Sequence, residues 1–308
     1  MRIVVLGSAA GGGFPQWNCN CPVCRRGRVG DPAAAPRTQS SLAVSADGVQ
    51  WFLLNASPDI RQQLAQTPQL HPANGLRHSP VVGVVLTNAD VDHIAGLLGL
   101  REGQALSVYA TARVHRVLAS NPIFGVLNPV VVTRLPLSLE DETDLRLADG
   151  RASGLAVTAF AVPGKVALWL EDATKDDFGS VEEDSIGLRI SERASGRAFW
   201  YVPGCASMPA DLAARLDGAE LLFFDGTTWT DDEMQRTGVG AKTGRRMGHM
   251  SMSGAEGSIA ALAGPAIGRR VFVHINNTNP VLLADSAERA MAAAAGWEIA
   301  HDGLEIVL

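Results

Sequence analysis

The sequence predicts a layered α/β protein with mixed sheets, on three observations. Short β-branched apolar runs recur along the chain. Several follow one another in pairs and series instead of alternating strictly with helices. The helix-start signals fall between those groups.

Taken in order, Arg2 to Leu6 reads as a buried strand. Leu42 to Ser45 and Val49 to Leu54 flank Asp47-Gly48, the pattern of a β-hairpin. Ser57 followed by Pro58 reads as the cap and first position of a helix. Val81 to Leu86 is a further buried strand, leading to the apolar turn Ile94 to Leu100. Leu155 to Val162, Val166 to Glu171, Ile186 to Ser191, Ala198 to Val202 and Leu221 to Phe224 continue the series. Ser253 to Glu256 reads as a capping box before the apolar helix Ile259 to Ala263. Asp285 to Glu288 reads as a second box opening an Ala-rich helix. Val271 to His274, Glu298 to Ala300 and Leu304 to Val307 complete the strands. Ser138 to Ala152 and Glu171 to Asp184, rich in acidic residues and Gly, read as surface excursions. No linker or repeat divides the chain, so one domain over 1–308 is expected.

Composition narrows the function. The chain has 308 residues, 46% hydrophobic and 19% charged, which is globular and not disordered. Its net charge of −6 disfavours a nucleic-acid binder that depends on phosphate contacts. No apolar run approaches the ~18 residues of a membrane helix, and the N-terminus has no secretory apolar region. A soluble, cytoplasmic protein is expected. Gly7 to Gly13 follows a strand but lacks the G-x-G-x-x-G spacing, and Phe14-Pro15-Gln16-Trp17-Asn18 after it is a loop. A dinucleotide site is therefore rejected.

Chemistry concentrates in four places. Cys19-Asn20-Cys21-Pro22-Val23-Cys24 brings three soft thiolates into one short loop, a pattern for structural Zn²⁺. A fourth ligand must come from elsewhere, either a His or the remaining Cys205. Thr87-Asn88-Ala89-Asp90-Val91-Asp92-His93 sits beyond the carboxyl end of a strand, where α/β sheets place ligands. Asp90, Asp92 and His93 could wrap one divalent ion, although carboxylates at a helix start are also common without one. His274 ends a strand and is followed by Ile275-Asn276-Asn277-Thr278-Asn279-Pro280. The sequence leaves two places for it, with the Asp–His loop or as fourth ligand to the Cys loop. Asp225, in Asp225-Gly226-Thr227, and His249, in Gly248-His249, are a candidate acid/base pair, a carboxylate orienting an imidazole.

The order of these signals resembles the metallo-β-lactamase superfamily, in the branch that holds tRNase Z and the phosphonate-pathway phosphodiesterases. More narrowly, four stretches are similar to the pyrroloquinoline quinone biosynthesis proteins of the B type: Gly12 to Cys19, Asn55 to Ile60, Asp90 to Leu97 and His274 to Pro280. The resemblance implies an αββα four-layer sandwich with mixed sheets. It also exposes departures. The superfamily's His-x-His-x-Asp-His loop has Asn88 and Asp90 at its leading positions, and only Asp92 and His93 match. Pro163-Gly164 stands where a further His is expected, and Gly204-Cys205-Ala206 where an Asp bridges two metals. Asn277 matches a zinc-binding His of the phosphodiesterases, and an amide is a poor partner for thiolate-bound zinc.

What survives is Asp92, His93 and His274, with Asp90 as a possible addition. Two imidazoles and a carboxylate with open positions are the arrangement of non-haem Fe(II) oxygenases. The resemblance therefore implies iron- and oxygen-dependent hydroxylation of the tyrosine ring of a Glu-Tyr-derived precursor, with Asp225 and His249 moving protons and Asn88 beside the metal. Other pathway proteins are implied partners, while no nucleic acid and no membrane are expected. The alternatives are a metal-dependent hydrolase with a reduced ligand set and a carrier of the cofactor or its precursor.

Overall fold

In the computed structural model, which describes residues 1–175 and 177–308, fourteen strands form two seven-stranded sheets. The first sheet comprises β1 (Arg2–Gly7), β2 (Ser41–Ser45), β3 (Trp51–Leu54), β4 (Val81–Val85), β5 (Leu106–Thr111), β6 (Val132–Leu137) and β14 (Glu305–Val307), in the order β14-β1-β2-β3-β4-β5-β6. The second comprises β7 (Glu142–Arg146), β8 (Ala152–Ala161), β9 (Ile186–Glu192), β10 (Ala198–Val202), β11 (Leu221–Asp225), β12 (Arg269–Val273) and β13 (Trp297–Ile299), in the order β13-β12-β11-β10-β9-β8-β7. Both mix parallel and antiparallel pairs. For example, β1–β2–β3 are antiparallel while β3–β4–β5–β6 are parallel.

The strands are apolar on both faces because both faces are covered. Along β3, Phe52 and Leu54 enter the core between the sheets, while Trp51 and Leu53 face the outer core. Along β11, Leu221 and Phe223 face inward, while Leu222 and Phe224 face outward. On the outside of the first sheet lie Ile60, Ile94 and Val114 from short helices. On the outside of the second lie Leu212, Leu216 and Ala292. The result is four layers, αββα.

Five sequence expectations change. Val166–Glu171 is not a strand: Leu168–Leu170 forms a 3₁₀ turn, and a short apolar run alone does not distinguish the two. Ser138–Ala152 is not all loop, since β7 lies within it as an edge strand. Its outward Glu142 and Asp144 pair with Arg193, and such charges are how sheet edges are protected. The helix after Ser57 runs Ile60–Gln66 with Asp59 as N-cap. Neither capping box forms. Gly257 precedes helix Ser258–Ala261, and Ser286 alone caps Ala287–Ala294 through the Arg289 N–H. Finally, β5, β6 and helix Ala112–Ser120 occupy a stretch that carries no sequence assignment. In the excursion 171–184, residue 176 lies outside the described residues.

The topology points five strand ends the same way. The segments after β1, β4, β8, β11 and β12 converge at one rim of the sandwich. Backbone bonds stitch that rim across the two sheets: Ile275 N–H donates to Ser8 O (3.0 Å) and Ala10 N–H to Ile275 O (2.8 Å). Ile186 N–H donates to Thr87 O at 3.0 Å.

Candidate metal centre

The loop after β4 is held rigidly. Asn55, at the end of β3 in a left-handed conformation (φ 63°), accepts the Thr87 N–H on Oδ1 (2.9 Å) and donates from Nδ2 to Thr87 Oγ1 (2.9 Å). Ala56 N–H donates to His93 O (2.7 Å), and Gly96 N–H to Ala56 O (2.9 Å). A methyl group on Gly96 would lie 2.2 Å from Ser57 O, so only glycine allows this approach. The loop therefore presents Asp92 and His93 in one orientation.

His274 follows β12 with φ 55°, a conformation costing about 1–3 kcal/mol for a residue with a side chain, and such strain concentrates at functional sites. It turns the ring to meet the loop from the other sheet. Asp92, His93 and His274 offer ligand atoms all within 4.8 Å of one another. The rings of His93 and His274 are 5.3 Å apart, edge to face.

Hydrogen bonds fix the tautomers. Asn88 Oδ1 accepts from Asp90 N–H (3.0 Å), so it is the oxygen, and it also takes the His93 Nδ1–H (2.7 Å). This leaves the His93 Nε2 lone pair facing the group. Nε2 is buried and has no hydrogen-bond partner. Burial holds His93 down at about 4, against the pull of Asp92, so the ring is neutral at pH 7. Thr227 Oγ1 donates to Asp225 Oδ1 (2.6 Å) and so accepts from His274 Nδ1 (2.8 Å). His274 Nε2 then faces Asp92 Oδ2 at 3.0 Å, and a lone pair against a carboxylate requires a proton or a cation between them. Burial opposes charge on His274, but Asp92 outweighs it and raises this ring. Burial likewise opposes charge on Asp92, but His93 and His274 hold its carboxyl well below the usual range. An orphaned imidazole nitrogen, a second imidazole and an anionic carboxylate fit a divalent ion.

Asp225 and His249 do meet, with His249 Nδ1–H donating to Asp225 Oδ2 at 2.7 Å. Asp225 is fully buried and also accepts from Cys205 N–H (2.9 Å) and Thr227 N–H (3.0 Å). The His249 ring stacks on His274 with centroids 5.1 Å apart.

The geometry places the remaining candidates. Asp90 is not among the groups whose ligand atoms lie within 4.8 Å of one another, and its Oδ1 accepts from Leu168 N–H at 3.3 Å. Cys205 does not join the other cysteines: its Sγ–H donates to Ser207 O (3.0 Å) on the Asp225 side. His274 lies within 4.8 Å of Asp92 and His93, and likewise within that distance of Asp225 and His249, and it does not group with the Cys loop. Cys19, Cys21 and Cys24 form their own buried group, again within 4.8 Å. Asn277 sits against it, with Nδ2–H donating to Cys24 Sγ (3.2 Å). Donation from Cys21 and from Asn277 lowers the Cys24 thiol to about 5, which favours a thiolate. Two contributors escaped sequence reading: Thr227, though Asp225-Gly226-Thr227 places a hydroxyl at a strand end, and Asn55, in the Asn55-to-Ile60 stretch.

The chain matches the β-lactamase superfamily domain over residues 50–275. It is 55% identical over 308 residues to coenzyme PQQ synthesis protein B of Methylorubrum extorquens, covering all of both chains. It is 54% identical over 305 residues to the protein of that name from Gluconacetobacter diazotrophicus, covering 99% of this chain and 98% of that one. The chain belongs to the coenzyme PQQ synthesis protein B family.

Within that family, the 1.98 Å crystal structure of Zn²⁺-bound PqqB from Methylobacterium extorquens superposes with a TM-score of 0.94 at 55% identity, covering 100% of both chains. A diphosphatase of the PhnP family shares the fold more distantly, at a TM-score of 0.69 and 21% identity over 99% of this chain and 97% of that one. Both superpositions agree with the four-layer arrangement expected of this family. Among the described residues, no helix is long and apolar enough to cross a membrane.

Proposed function

We propose that this protein acts in pyrroloquinoline quinone biosynthesis as an iron(II)- and dioxygen-dependent hydroxylase of the tyrosine ring of a Glu-Tyr-derived precursor. The observation that supports it is the orphaned Nε2 of His93, buried opposite His274 Nε2 and the Asp92 carboxylate. Asp92, His93 and His274 would hold Fe²⁺. Bound there, ferrous iron would supply redox chemistry with dioxygen at positions the protein leaves open. In the overall balance one oxygen atom enters the ring and the other leaves as water, with two electrons from an external reductant.

The chain's own groups do the rest. Asn88 and Thr227 fix the ring orientations of His93 and His274, the part that neighbours of metal ligands commonly play. Asp225 locks the His249 tautomer, so that Nε2 can take the phenolic proton and later return one. A structural Zn²⁺ on Cys19, Cys21 and Cys24 would fasten the N-terminal loop to the segment carrying His274 and Asn277. The chemistry of three buried thiols, one poised as a thiolate, supports that assignment.

The test is to load metal-free protein anaerobically with Fe²⁺, add a Glu-Tyr peptide and a reductant, and then admit air. A product heavier by one oxygen atom is expected. A gain of water with cleavage would replace this reading by hydrolysis. Binding with unchanged mass would replace it by carriage.

A further inference from the structure

The excursion between β8 and β9 is anchored on both sides of the ligand group. On one side Leu168 N–H donates to Asp90 Oδ1 (3.3 Å), two residues from Asp92. On the other, Glu171 is gripped by Lys165 Nζ (2.8 Å) and by Arg246 Nη2 (2.7 Å), and Arg246 stands three residues before His249. The Arg246 guanidinium also lies 3.9 Å over the Phe178 ring. The Lys165 stem packs on Gly248, where a methyl group would come within 2.9 Å of Lys165 Cγ. Below the turn, Val166 and Ala167 are buried.

Between these anchors the turn Leu168–Leu170 holds out three consecutive apolar side chains. Leu168 is 54% exposed, Trp169 42% and Leu170 37%. A turn tied this firmly by ion pairs and buried neighbours does not need apolar tips in order to fold. Leaving them half in water forgoes part of the stabilisation that apolar burial gives. The Leu168 amide on Asp90 brings this exposed apolar turn next to the Asp–His loop, and exposed apolar clusters next to polar groups mark recognition surfaces.

We infer that the Leu168–Leu170 turn is the wall that receives the substrate's aromatic ring, with Leu168 and Trp169 as specificity-determining residues, a role that rests on the reaction proposed above. An indole and a leucine offer an aromatic ring stacking and apolar contact, while the charged ends of a dipeptide gain nothing from them. The wall favours a Tyr-bearing ligand over the same ligand with a methyl side chain.

The experiment uses the full chain loaded with Zn²⁺, which is redox-inert, so binding is read without turnover. Glu-Tyr and Glu-Ala peptides are titrated calorimetrically into wild type and into the double variant Leu168→Ala/Trp169→Ala. Both positions are exposed, and retained zinc content with an unchanged thermal melt confirms the variant's fold. Wild type should bind Glu-Tyr at least about fivefold tighter than Glu-Ala, and the variant should lose that preference while binding Glu-Ala as before. A preference that persists in the variant, or none in wild type, overturns the wall. Oxygen incorporation by the iron-loaded wild type tests the reaction separately, so either idea can fail while the other stands.

Discussion

Asn88 and Asp90 occupy the two loop positions where the superfamily resemblance expects histidines, and each has a different job here. Asn88 takes the Nδ1–H of His93, so Asn88→Ala should lower metal affinity by roughly 10–100-fold with little change in fold, measured by competition with a chelator. Asp90 instead accepts the Leu168 amide. Asp90→Asn keeps an acceptor there and should leave metal affinity within about twofold of wild type, well short of the loss expected when an anchor of the metal group is removed. A loss as large as that of Asn88→Ala would make Asp90 a ligand after all. The Asp92–His93 pair was legible in the sequence because two ligating types sit together at a strand end. Thr227 was less so, because a hydroxyl bonded at once to Asp225 and to His274 has no signature in spacing.

At the scale of elements, the loop between β4 and β5 depends on a glycine. Gly96→Ala pushes a methyl into Ser57 O and loosens the hydrogen bond from Ala56 to His93 O. It should cost about 1–3 kcal/mol and weaken metal binding together, seen as a lower Tm and a higher chelator sensitivity in the same variant. The Cys loop makes the opposite prediction. Cys21→Ser should lower Tm by several degrees, at about 2 °C per kcal/mol lost, because metal binding there is folding free energy. Asp92→Ala should abolish activity and leave the melt nearly unchanged, and the reverse ranking in thermal scans would exchange the two sites. The paired strands β2 and β3 were legible from Asp47-Gly48 and the apolar runs on either side of it. The turn Leu168–Leu170 was not, because its short apolar run reads equally as a strand, and the structure folds it as a 3₁₀ turn.

For the whole molecule, the four layers followed from the resemblance and the clustering of apolar runs, while the edge strands β6 and β7 were hidden by Pro136 and by charge. One buried group makes stability depend on pH. Glu233 is 5% exposed, accepting Trp229 N–H (2.6 Å) and Thr278 Oγ1–H (2.5 Å), and burial raises its carboxyl to about 7. The unfolded chain releases this proton near 4.5 and the folded one near 7. Stability from this group is therefore full below pH 4.5 and declines as pH rises through 7, by up to about 3 kcal/mol. Glu233→Gln should flatten the fall in Tm between pH 5 and 8, and an unchanged slope would acquit the residue.

All the chemistry enters from one rim, and register places the tip between β2 and β3 at the other, since Arg2 at the start of β1 faces Ser45 at the end of β2. There Asp47 ties its own turn by accepting from Val49 and Gln50 N–H (both 2.8 Å), while Gly48 carries the positive φ. That far corner is a natural handle: a tether, dye or affinity peptide spliced in at 47–49 would immobilise the protein with its reactive mouth facing the bulk solution.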